Sequence, residues 1–231
     1  MNPSEYAELH VHSAYSLLDG AALPETYVDR ARAIGLRAIA LTDHDDMGGV
    51  VRFAEHAREA DDYPAIIGIE LTLGDEQLPT GGDVHHLTLL ARDGEGYANL
   101  GRLVTHARGL EPRGRPRVSI ETLSRHAAGL MCLSGCPKGL VPRRMAVGDA
   151  LGARRAAGVW RDLFGEHFAI EVMDHGLAEE ARLAGGLIRL AGEMGVPWVV
   201  SNNVHHATPQ DRVLHDVLTC LKHHVTLDDA G

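Results

Sequence analysis

The stretch AIIGIELTLGDEQLPTGGDVHHLTLLA, residues 65–91, decides what kind of fold this chain adopts. Two apolar runs, Ala65–Leu73 and His86–Ala91, read as strands, and ten residues (GDEQLPTGGD) containing Pro79 and three glycines separate Leu73 from Val84. A parallel crossover needs roughly a dozen or more residues, normally with a helix. This connection offers neither, so the two strands are expected to form an antiparallel hairpin. The consequence reaches the chemistry. The first of the two carries one charge, Glu70, among apolar neighbours, and acids are almost never fully buried unless paired. An antiparallel return brings His85 and His86 to the same end of the sheet as Glu70, with His86, nearer the strand, the better candidate ligand. A parallel return would put them at the opposite end.

Working outward, further strands are expected at Tyr6–Val11, Arg37–Thr42, Leu130–Ser134, Phe168–Met173 and Trp198–Ser201, with helical periodicity filling most of the gaps. The first helix has Pro24 near its N1 position, Val28, Ala31 and Ile34 at helical spacing, and Gly35 at its end. The second starts at Asp46 or Gly48 and runs through Val51, Phe53 and Ala57. Two more cover Asp149–Phe164 and Leu177–Met194. Strands alternating with helices imply a mainly parallel α/β sheet with helices outside it. Seven strands in 231 residues fit a closed, irregular barrel better than a large open sheet. No repeat, low-complexity tract or linker divides the chain, which reads as one domain over residues 1–231. The basic, Pro-rich stretch Gly109–Arg117 is expected to be a surface loop, with phosphate contact as its alternative.

Composition narrows the function classes. Lys and Arg number 22 against 32 Asp and Glu, a net charge of −10 that argues against a broad nucleic-acid surface. Only Lys138 and Lys222 are lysines, whereas histidine reaches 15 copies. Aromatics, at 4%, are too few for a base-stacking groove, and 45% hydrophobic residues exclude a disordered chain. No apolar run approaches the roughly 20 residues that span a bilayer, and MNPSEY is no signal peptide. Three cysteines do not make a disulfide framework, so a reducing cytoplasm is the expected location.

Candidate metal ligands recur at strand ends. His10 and His12, in ELHVHS, share one face by strand periodicity. Asp19 follows in LLDG, where Asp-Gly alone would be a turn signal. LTDHDD places Asp43, His44, Asp45 and Asp46 just beyond the second strand, the end at which barrel enzymes gather catalytic groups. Asp43 and His44 are the candidate catalytic pair, Asp43 equally able to orient His44. Asp46, and with it Asp45, is expected to cap the next helix. LSGCPKG puts Cys136 in a loop beside Gly135 and Pro137, suited to a thiolate ligand, while Cys132 reads as core. VVSNNVHH sets Asn203 and His205 two apart at the end of the last strand, echoing HVH at the first. Such a mixed set suits Zn²⁺, Mn²⁺ or Fe²⁺, and nine groups exceed the ligands of one ion, so two or three metals are expected. Adjacent ions would activate water and hold a phosphoryl oxygen.

These segments resemble the polymerase-and-histidinol-phosphatase (PHP) domain family, a distorted seven-stranded β/α barrel with a trinuclear metal site at the C-terminal rim of its strands. ELHVHSAYSLLDGA, IALTDHDDMGGVVRFAEHA, GIELTL, HHLTLLARDGEGYANL, LSGCPKGLVP and SNNVHHATP carry the likeness, over about residues 5–225. More narrowly they resemble the N-terminal PHP domain of bacterial DNA polymerase III alpha subunits, and RFAEHA, SGCPKGLVP, MDHG and SNNVHHATP resemble the error-prone type used in damage tolerance. The resemblance implies one metal held by His10, His12, Glu70 and Asn203, a second by Glu70, His86 and Cys136, and a third by Asp19, His44 and His205. Asn203 departs from the pattern, since active members usually carry Asp there, and an amide offers a neutral acceptor in place of a carboxylate. Palm, thumb and fingers would not fit in 231 residues.

The likeness thus implies a metal-dependent phosphoesterase or 3′–5′ exonuclease module acting on a DNA 3′ end or other phosphoester, beside a polymerase core or other replication and repair proteins. The competing expectations are a structural metal-binding domain supporting a polymerase, and a stand-alone phosphatase of the histidinol-phosphatase type.

Overall fold

The computed structural model describes residues 5–74, 84–109 and 116–229. The expected turn over 75–83, and 110–115 of the basic loop, lie outside the described residues. Seven strands form one sheet in chain order: β1 (Ala7–Glu8), β2 (Ala38–Leu41), β3 (Ala65–Gly74), β4 (Val84–Ala91), β5 (Leu130–Leu133), β6 (Phe168–Val172) and β7 (Trp198–Val200). The helices are α1 (Pro24–Ala33), α2 (Val50–Glu59), α3 (Gly94–Gly109), α4 (Ile120–Arg125), α5 (Leu140–Ala146), α6 (Ala150–Phe164), α7 (Ala178–Met194) and α8 (Arg212–His223).

The hairpin is antiparallel as the short connection requires, with Glu70 opposite Thr88 and Thr72 opposite His86. Strand β4 is reversed against both neighbours, because β5 also pairs with it antiparallel; the other four pairings are parallel. Strand β1 is shorter than expected. Its continuation turns to the end of the chain, where His12 N donates to Val204 O and Val204 N to His10 O, both at 2.8 Å. These bonds form a parallel Val11–Val204 bridge outside the named strands, within the first compact unit. Strand order and bridge together are those of a distorted seven-stranded α/β barrel.

The chain divides into two compact units, residues 1–67 with 203–231 and residues 68–202. In the first, Val11, Tyr27, Val28, Ile39, Leu41 and Phe53 form one buried cluster between β2, α1 and α2. Burying a side chain of this size contributes about 1.5–3 kcal/mol. Pro24 opens α1, and Gly35 follows its end with a left-handed φ of 76°. Helix α2 starts later than expected, at Val50 behind Gly49. Asp46 does not cap it; its Oδ1 accepts from Gly48 N inside the preceding loop.

In the second unit Leu71, Leu73, Leu87 and Leu89 are fully buried on the hairpin, and α3 packs on β4 with Leu100 and Leu103 inside. Helix α6, carrying Trp160 and Phe164, packs on β5 and β6, and α7 packs on β6. Asp149 caps α6, accepting from Gly152 N at 2.8 Å, a contact of about 1 kcal/mol. Among the described residues no helix is long and apolar enough to cross a membrane.

Candidate metal centre

In the first unit, the Val11–Val204 bridge sets His10-Val11-His12 beside Asn203-Val204-His205. Strand periodicity sends His10 and His12 to one side. His10 and His12 are fully buried, and their Nε2 atoms are 3.1 Å apart. His12 Nε2 is also 3.1 Å from Asn203 Oδ1. Asn203 has a φ of 49°, a left-handed conformation that Asn tolerates better than most residues. The buried Glu8 fixes the approach to this strand end, its Oε1 accepting from Leu9 N and His10 N at 3.0 Å.

A network behind the cluster sets the protonation of His12. Asp43 accepts from Ser13 N, Ser13 Oγ and Ser16 Oγ, each at 2.7 Å. Burial raises its carboxyl above the ordinary value, and the bonds from Ser16 and Ser13 partly offset that. With its proton committed to Asp43, Ser16 Oγ accepts from His44 N at 3.0 Å and faces His12 Nδ1 at 3.3 Å. The arrangement calls for a proton on His12 Nδ1 and a lone pair on Nε2, the form a metal-binding histidine needs. Asp43 thus serves the cluster through Ser16.

Around His12 the imidazoles stack. His44 lies on one contact at a ring-centroid distance of 4.4 Å and His205 on another at 4.7 Å, both tilted by 16°. Asp19 reaches both, with Oδ2 2.9 Å from His44 Nε2 and 3.5 Å from His205 Nδ1. Burial would raise the Asp19 carboxyl, but the nearby His44 and the hydrogen bond from Lys222 hold it well below the carboxylate range. Burial pushes His205 down to about 4, against the pull of Asp19, so the ring is neutral near pH 7.

The donor atoms fit a cation. Asp19 Oδ2 and His205 Nδ1 are buried and have no partner in hydrogen-bond geometry, a costly state for polar atoms. Both belong to a triad, His12, Asp19 and His205, whose ligand atoms lie within 4.8 Å of one another. Two imidazole nitrogens and a carboxylate oxygen at this spacing are the donors of a Zn²⁺- or Mn²⁺-type site.

The second unit carries its own set. Glu70 is buried on β3, and His86 Nδ1 lies 3.1 Å from its Oε2. Thr72 pairs with His86 and Leu73 with His85, so His86 takes the Glu70 face and His85 the other. His85 is buried there, 3.4 Å through Nδ1 from Arg143. Cys136 Sγ is 3.7 Å from His86 Nδ1, and burial with the nearby Glu70 pushes its thiol well above the usual range. Gly135 makes this approach possible: its φ is 89°, and a Cβ there would sit 2.5 Å from His86 O. Cys132 is fully buried, as expected for core.

Several polar residues escaped the sequence reading. Ser13 and Ser16 lie in the quoted motif, yet only the fold brings Asp43 to them. Glu171 on β6 is buried, accepting from Ser201 Oγ at 2.5 Å and Thr88 Oγ1 at 3.2 Å, while its own N donates to Ser134 Oγ at 2.9 Å. His215 lies 5.2 Å from His205 between ring centroids, and Lys222 Nζ is 2.7 Å from Asp19 Oδ1. The legible signal was their spacing of seven, which aligns both on one face of a helix.

A barrel whose strand ends gather His, Asp, Glu and Cys donors in this way is an α/β barrel with a candidate metal centre. The chain belongs to the PHP domain family, whose model matches residues 8–175. It is 41% identical over 223 residues to a DNA polymerase III subunit alpha of Treponema pallidum, covering 94% of this chain and 19% of that protein. It is 39% identical over 233 residues to an error-prone DNA polymerase of Symbiobacterium thermophilum, covering 94% of this chain and 21% of that protein. The chain therefore spans about a fifth of the length of these curated relatives. Its fold matches a protein of Bifidobacterium adolescentis assigned as a metal-dependent phosphoesterase, at a TM-score of 0.61 and 16% identity over 90% of this chain and 91% of that one.

Proposed function

We propose that this chain is a metal-dependent phosphoesterase module of an error-prone DNA polymerase III alpha-type protein, acting on a DNA 3′ end in the cytoplasm beside a polymerase core. The carrying observation is the triad of His12, Asp19 and His205, with its buried Asp19 Oδ2 and His205 Nδ1 outside hydrogen-bond geometry. The reading assigns His10, His12, Asp19, His44, Asn203 and His205 of the first unit, and Glu70, His86 and Cys136 of the second, to two or three ions of Zn²⁺, Mn²⁺ or Fe²⁺.

Such a cation, when bound, supplies Lewis acidity toward a phosphoryl oxygen and lowers the pKa of water. The chain's own groups do the rest. Ser16 and Asp43 hold His12 with its Nε2 lone pair outward. His44, beside Asp19 at 2.9 Å, is the group that holds or moves a proton at Nε2. Asp19 fixes its orientation.

The test is purified protein with Mn²⁺ or Zn²⁺ and 3′-labelled single-stranded DNA, run beside His10→Ala. Shortening by the wild type alone supports the reading; equal activity in the two, or none in either, overturns it. Asn203 favours a second reading, a metal site kept as a folding staple. Bound metal, a large fall in melting temperature on chelation and no phosphoester turnover would establish that one.

A further inference from the structure

Helix α8 brings two basic side chains to the Asp19 cluster. His215 lies beside His205 with its ring tilted by 34°, and Lys222, seven residues on and so on the same helix face, places Nζ 2.7 Å from Asp19 Oδ1. The carboxylate is thereby divided. Oδ1 takes the lysine, whereas Oδ2 faces His44 and His205 and remains outside hydrogen-bond geometry. A cation on the His12, Asp19 and His205 donors would bind through Oδ2, leaving the lysine in place on Oδ1.

We propose that Lys222 is a phosphate-positioning residue: its ammonium and a divalent cation share the Asp19 carboxylate and together bracket the anionic oxygens of one phosphoryl group. This deepens the phosphoesterase reading and rests on it for the identity of the ligand. An ammonium has three N–H donors, and among the described residues Asp19 is the one hydrogen-bond partner of Lys222. The side chain is 35% exposed, so the remaining donors are open to an incoming ligand. Charge points the same way. Lys222 and Asp19 cancel, and the charge of a divalent cation is left for an anion to balance. A lysine serving only to pin α8 would need none of these properties.

The experiment compares wild type, Lys222→Met and Lys222→Arg, each checked by circular dichroism. Two quantities are read by calorimetry: Mn²⁺ affinity of the metal-free protein, and inorganic phosphate affinity of the Mn²⁺-loaded protein. The methionine variant is expected to keep or tighten Mn²⁺ binding, because a competing positive charge is gone, and to bind phosphate at least about tenfold more weakly, equivalent to about 1.4 kcal/mol. The arginine variant should recover much of that loss. Where DNA is hydrolysed, Lys222→Met should raise KM more than it lowers kcat. Phosphate affinity unchanged in Lys222→Met overturns the proposal, as does parallel loss of Mn²⁺ and phosphate, which marks a structural pin. Wild type that takes up no Mn²⁺ or no phosphate also overturns it. Wild type that binds both yet hydrolyses nothing refutes the phosphoesterase reading and leaves the binding role of Lys222 supported.

Discussion

Ser16 Oγ donates to Asp43 Oδ1 at 2.7 Å, and that bond determines which nitrogen of His12 carries a proton. A serine hydroxyl has one hydrogen to give and lone pairs for two donors. Once the hydrogen is on Asp43, the lone pairs receive His44 N and His12 Nδ1. Ser16→Ala should therefore weaken metal binding about 10- to 100-fold, the usual range for losing a group that orients a ligand. Competition with a chelator of known affinity measures this. Unaltered affinity would remove Ser16 from any part in holding the site.

Glu171 makes a prediction of a different kind, about stability. Its carboxylate accepts from the Ser201 and Thr88 hydroxyls in a buried position on β6. Glu171→Ala removes both acceptors, each bond to a charged group being worth about 1.5–3 kcal/mol, so a loss of about 3 kcal/mol or more is expected. Glu171→Gln keeps the shape and one acceptor oxygen, and should cost about 1 kcal/mol. Urea unfolding at neutral pH separates the two. Equal costs would mean that the carboxylate charge, and not the pattern of acceptors, sustains the network.

What the sequence made legible followed from local periodicity. The alternation of a strand put His10 and His12 on one side, and the brevity of the connection after Leu73 made the hairpin antiparallel, bringing His85 and His86 to the Glu70 end; only the register then sets His86 on the Glu70 face. Contacts that close long loops left no such trace. Asp43 meets Ser13 and Ser16 across about thirty positions, and Lys222 meets Asp19 across 203. Neither separation has a period, so a polar residue there reads as a solvated one until the ladder is known. Boundaries failed for the same reason: β1 ends early because its next residues bond to Val204.

His175 offers a pH test away from the candidate ligands. Its Nδ1 lies 3.0 Å from Glu180 Oε1 and its Nε2 3.0 Å from Asn202 O, so only the imidazolium can donate to both. The Glu180 hydrogen bond, against the effect of burial, raises its pKa above the ordinary value. A raised folded pKa gives stability that is complete below the unfolded value of about 6.5 and lost as pH rises through the folded one. The side chain is nearly half exposed, so solvent screens the pair to a fraction of about 1 kcal/mol. Glu180→Gln should lower the metal-free melting temperature at about pH 5.5 and hardly at all at about pH 8.5. A gap that is equal at both, or larger at the alkaline end, refutes the assignment.

Asn203 carries the sharpest prediction. Its Oδ1 faces His12 Nε2 at 3.1 Å, and with the His12 proton on Nδ1 that contact sets one acceptor against another. An amide can turn to present its NH₂ in the metal-free protein, whereas a cation makes both acceptors useful at once. Asn203→Asp replaces a neutral oxygen with an anionic one at nearly constant shape, and Asp tolerates the left-handed φ of 49°. Metal affinity should rise by about tenfold or more, about 1.4 kcal/mol. If the wild type is a working hydrolase, Asn203→Asp raises turnover of 3′-labelled DNA in step with metal occupancy. If the wild type is a folding staple, the same change raises the metal-bound melting temperature, and turnover first appears in the variant. Metal affinity that does not move would take Asn203 out of the ligand set, leaving His12, Asp19 and His205 to hold the ion without it.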